Sequence, residues 1–189
     1  MARAIDPLPT GVALLALGLG VAAITFGSIG EDDVSFARTQ WTALLAMALA
    51  APAILLYARG RSQTSEWWRS FWTAGLLAYL LHFWWAVFRT YNGDFAAVIE
   101  RQGLVAYSNF LVTILWALDV VAAWLPPRER VASPVHFVTW LLVALSFLAS
   151  ATLFHGGLTA LLGYALGAAL LAVLVARLFL RRSEPTLRA

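Results

Sequence analysis

The 189 residues are 61% hydrophobic and 12% charged, with a mean hydropathy of +0.78 and a net charge of +3, a balance that places the chain in a bilayer and not among soluble domains. All thirteen basic residues are arginine and there is no cysteine, which excludes a Schiff-base lysine, disulfides, thiolate metal sites and Cys-ligated iron–sulfur clusters. A nucleic-acid partner is excluded too, because the basic residues form no contiguous soluble face.

A helix crossing a hydrocarbon core of about 30 Å needs about 20 apolar residues. Stretches such as LLALGLGVAAITFG and TALLGYALGAALLAVLVA are apolar on every face, whereas a closed barrel would alternate apolar and polar residues. The expectation is an all-α membrane protein: one transmembrane domain over residues 1–189, a bundle of six spans near 10–29, 41–58, 70–88, 103–125, 134–154 and 157–180. Arg59, Arg61, Arg69, Arg128, Arg130, Arg177, Arg181, Arg182 and Arg188 fall on alternate connections and the C-terminal tail, so the positive-inside rule puts both termini in the cytoplasm.

Span one starts after Asp6, Pro7 and Pro9, which replace the positive leader of a secretory signal, so it is read as a span. Its Ala13, Ala16, Gly20, Ala23, Gly27 and Gly30 form a small-residue seam, which span two repeats with Ala43, Ala46, Ala50 and Ala53. Such seams let helix backbones approach closely. Pro52 is expected to bend span two.

Span three places Phe71, Gly75, Ala78, His82, Trp85 and Arg89 on one face at 100° per residue, with Leu80, Trp84 and Val87 turned to lipid. Between spans three and four, Asp94 is expected to cap a short helix ending at Gly103, its face of Phe95, Val98, Ile99 and Gln102 lying flat on the outer surface. Trp67, Trp68, Trp72 and Trp124 read as an interfacial belt at the inner end and Trp41, Trp84 and Trp85 at the outer end. Trp116 and Trp140 read as deeper, in the core.

Span four carries the polar wedge Ser108, Asn109, Thr113 and Asp119, with Asn109 at the depth of His82 and expected to bond to it. Span five adds His136, Thr139, Val143, Ser146 and Ser150, so spans three to five should share a polar core. Asp119 cannot remain a bare carboxylate at that depth. Arg177 of span six is preferred over His136 as its ion-pair partner, because the guanidinium is always charged and can bond bidentately. Gly163 and Gly167 of span six form a GxxxG read as internal packing.

The segment AYSNFLVTILWALDVVAAWL, residues 106–125, following an aromatic span with a histidine, resembles a pattern in uncharacterised bacterial multi-pass membrane proteins over roughly residues 67–155. The resemblance implies a bacterial inner-membrane setting and no active site. No catalytic residue and no metal site are expected. Haem b needs imidazoles facing one another at one depth, and His82, His136 and His155 fall at different depths. The leading expectation is a non-catalytic accessory or assembly subunit, or a binder of a small apolar ligand drawing on His82, Arg89, Asn109, Trp116, Asp119, Ser146 and Ser150. A small-solute or proton-coupled transporter, and a quinone- or haem-linked redox component, stay open as alternatives. Its partners would be the lipid bilayer and other membrane subunits.

Overall fold

Helix starts coincide with residues that can accept an unpaired backbone amide. In the computed structural model, which describes residues 6–60, 65–125, 133–153 and 157–182, Asp6 accepts from the Leu8 amide, Asp33 from Phe36 and Asp94 from Ala97, at 2.9 to 3.0 Å. Each replaces a bond that the first turn lacks. The elements are α1 (Pro7–Gly27), α2 (Val34–Ala58), α3 (Glu66–Trp84) with a π-helical turn (Trp85–Thr90), α4 (Phe95–Gln102), α5 (Leu104–Trp124), α6 (Ser133–Leu153) and α7 (Gly157–Arg182). No strand occurs among the described residues. Six helices, with α3 counted through its π turn, are long and apolar enough to cross a membrane. His155, Arg61, Arg128, Arg130 and Arg188 lie outside the described residues.

The second span begins at Val34 and not at residue 41. Its polar first turns stay helical because Asp33 caps them, and because Arg38 reaches back to close α1 through Ser28 Oγ at 2.7 Å and the Thr25 carbonyl at 3.3 Å. Arg38 also lies over the Trp85 ring, 4.9 Å from its centroid, so one cation links α1, α2 and the π turn.

Small residues set the packing. α2 lies against α1, α3, α6 and α7, with Ala46, Ala50 and Ala53 fully buried. A methyl added at Gly75 would lie 3.0 to 3.1 Å from the Cβ, Cα and N of Ala50, so α3 meets the backbone of α2 there. Gly163 and Gly167 face Ala151 and Leu148 of α6, an internal contact as expected of that GxxxG. The helix runs unbroken through Pro52.

One face departs from the expectation. Leu80 and Trp84 are exposed as foreseen, but Val87 is only 2% exposed and packs with Val98 and Ala106. The π turn accounts for this, since its wider turn rotates each later residue less than 100° and swings Val87 inward. It also turns Arg89 out, and Arg89 is exposed. α4 therefore packs on the bundle through Val98 and Ile99, separated from α5 by Gly103 at φ 56°, ψ −129°, a conformation that favours glycine.

Two glycine substitutions check the close packing. Gly75→Ala should cost about 1 to 3 kcal/mol by overpacking, while Gly11→Ala, where an added methyl meets nothing, should be neutral or slightly stabilising. Denaturation of both variants in detergent measures the contrast, and equal stabilities would contradict the α2–α3 contact.

Candidate functional site

A carboxylate inside a bundle has to find donors on neighbouring helices, and Asp119 of α5 finds two. His136 Nδ1 of α6 lies 2.7 Å from both carboxylate oxygens, and Trp72 Nε1 of α3 donates to Oδ2 at 2.8 Å. Both members of the His136–Asp119 pair are 4% exposed at the side chain. The imidazole and the indole together satisfy the carboxylate from two neighbouring helices, as a buried charge requires. Aromatic rings seal it: Trp68 and Tyr57 meet the imidazole edge to face, at 4.7 and 4.8 Å between centroids. His136 Nε2 has no hydrogen-bond partner among the described residues.

This arrangement corrects the preferred partner of Asp119. Arg177 Nη1 donates instead to the Ala58 carbonyl at 2.9 Å, because α7 packs on α2 and α6 and its arginine reaches the open C-terminal carbonyls of α2. Trp68 and Trp72 are also not belt residues. They are buried on the face of α3 that carries Gly75 and Tyr79. Their spacing with Tyr79 was the available signal, since positions 68, 72, 75, 79 and 82 form one stripe. Trp116 and Trp140 lie in the core as expected, and Trp140 Nε1 donates to the Ile54 carbonyl at 3.1 Å.

The second polar site lies at the α4 end of the bundle. A cavity of about 130 Å³ is walled by α2, α3 with its π turn, α4 and α5. His82 and Asn109 both line it, and His82 Nδ1 is 2.8 Å from the Thr39 carbonyl of α2. Thr39 falls before the expected start of span two, which is why sequence reasoning missed it. The two lining threonine hydroxyls are committed: Thr39 Oγ1 donates to the Ser35 carbonyl at 2.8 Å, and Thr90 Oγ1 to that of Trp85 at 3.2 Å, while the rings of Tyr79 and Tyr91 also line the cavity. The side-chain amides of Asn109 and Gln102 make no hydrogen bond to another described residue, and no Asp, Glu or Arg among the described residues lines the cavity.

The other expected site residues lie elsewhere. Trp116 packs between Trp72 and Tyr79, at 4.9 and 5.6 Å, and Asp119 belongs to the pair above. Ser146 is half-buried on α6, and Ser150 lines a separate void of about 30 Å³ with Gln40 and Thr159, room for about one water. No cluster of three or more metal-ligating side chains occurs among the described residues. The chain matches no family model, no curated protein and no solved structure.

Double-mutant cycles on stability separate the partners of Asp119. Asp119→Asn with His136→Gln should be non-additive by about 0.5 to 3 kcal/mol, whereas Asp119→Asn with Arg177→Leu should add to within about 0.5 kcal/mol. Strong coupling to Arg177 would restore the arginine pairing.

Proposed function

We propose that the protein is a non-catalytic, multi-pass membrane protein that holds a small molecule in the cavity beneath α4. The carrying observation is that Asn109 and Gln102, whose carboxamides make no hydrogen bond to another described residue, lie beside His82 on a volume of about 130 Å³ walled by aromatic rings. At the other end of the bundle Asp119 is joined directly to side chains of neighbouring helices, His136 Nδ1 and Trp72 Nε1, whereas Asn109 and Gln102 face the cavity. Convergent polar groups in an aromatic pocket between helices are what a ligand site needs. The π turn supports the same reading, since such turns occur frequently at functional sites and Ala86, Val87 and Thr90 of this one form the wall.

The orientation belongs to the proposal. Arg59, Arg69 and Arg177 lie at the end opposite α4, while the α4 end carries Glu31, Asp32, Asp33, Asp94 and Glu100 against Arg38, Arg89 and Arg101. We read the α4 end as external, in a bacterial inner membrane, with both termini cytoplasmic. Reporter fusions after residues 35 and 97 should then report the outside, and fusions after 64, 130 and 189 the cytoplasm. An external C-terminal signal would overturn this topology.

The cavity itself is tested by filling it. Ala86→Leu should leave folding intact and reduce any small molecule extracted from the purified protein to background, as measured by mass spectrometry. A ligand retained unchanged in Ala86→Leu would place its site elsewhere.

A further inference from the structure

We infer that the ligand is an uncharged, phenol-like molecule: one six-membered ring bearing a hydroxyl, its ring against the aromatic walls and its hydroxyl on the carboxamides of Asn109 and Gln102. This inference rests on the reading of the cavity as a ligand site. Size sets the first bound. A cavity of about 130 Å³ is close to the roughly 150 Å³ of an engineered apolar cavity that takes up benzene, so one ring fits and two do not.

Charge sets the second bound. No Asp, Glu or Arg among the described residues lines the cavity, and Arg89, the cation of the adjacent π turn, is exposed. An ionic ligand would surrender its hydration without a counter-charge. Hydrogen bonding sets the third. Each carboxamide offers N–H donors and a carbonyl acceptor, while the Thr39 and Thr90 hydroxyls already donate to backbone carbonyls. A hydrocarbon ring would leave both amides unpaired, and a ligand with acceptors alone would leave their oxygens unpaired. A hydroxyl donates and accepts at once, and so answers both. Phe36, Tyr79, Phe83 and Phe110 supply faces and edges for a planar ring.

The test uses the full chain in lipid nanodiscs, with empty nanodiscs subtracted, titrated at neutral pH with phenol, toluene and benzoate. Phenol should bind saturably at one site and about tenfold or more tighter than toluene, a margin of one well-made hydrogen bond, and benzoate should not saturate. Asn109→Leu should bring phenol down to the level of toluene, and Gln102→Leu, on the more exposed α4, should do the same if the first variant fails to fold. Ala86→Leu should abolish saturable binding of both. Toluene binding as tightly as phenol, saturable benzoate, or a phenol preference unchanged in a folded Asn109→Leu or Gln102→Leu would overturn the ligand class and leave the cavity as a site. Absence of saturable binding by all three probes would overturn the ligand class and the ligand-site reading together.

Discussion

The bundle is organised around one demand, that the carboxylate of Asp119 be satisfied inside a medium that supplies no water. Two donors meet it, the Trp72 indole from α3 and the His136 imidazole from α6. Because each bond is about 2.8 Å or shorter, the axial register of α3, α5 and α6 is fixed at that level. Losing one donor would leave a buried charge without compensation, which costs far more than the bond itself contributes. α2 is tied to the same level from the other side, through the Ile54 carbonyl bonded to Trp140 and the Ala58 carbonyl bonded to Arg177.

The opposite end of the bundle is built on a different principle. There the α2–α3 pair stays close, but the π turn rotates Val87 inward to seat α4, and the space between the roof and the histidine is not filled by side chains. His82 answers the usual question about a lone intramembrane histidine by bonding to the Thr39 carbonyl, a polar backbone atom on the neighbouring helix. The carboxamides beside it have no such internal answer. At the Asp119 end the carboxylate is bonded to two neighbouring helices, although His136 Nε2, Trp68 Nε1 and Trp116 Nε1 have no partner among the described residues, whereas at the α4 end half-buried carboxamides face a volume.

Much of this was legible in the residues. The apolar runs locate the six long helices and Asp94 and Gly103 delimit α4, because burial, capping and close approach are local properties of a helical segment. For the same reason Ala13, Gly20 and Gly27 of the first seam and Ala46, Ala50 and Ala53 of the second are buried or meet a neighbouring helix, while Ala23 and Gly30 are exposed. What escaped depends on non-local geometry. Val87 was assigned to lipid on a constant 100° rotation, which the π turn breaks. Arg177 was the better partner for Asp119 on charge alone, yet helix packing carries it to α2. Thr39 stood outside the apolar run that defined its span, so its carbonyl was not counted among partners for His82. Trp72 had the spacing of a core residue, but its place near a span end favoured the interfacial reading.

The Asp119 clamp is tested most directly by the imidazole ring of His136. In nitrogen-15-labelled protein, with His136→Gln used for assignment, the clamp requires a proton bound to His136 Nδ1 that resonates far downfield, exchanges slowly with solvent and is lost or shifted strongly in Asp119→Asn. A His136 Nδ1 that carries no such proton, or one that exchanges freely and is indifferent to Asp119→Asn, would contradict the carboxylate–imidazole bond on which the register of α3, α5 and α6 depends.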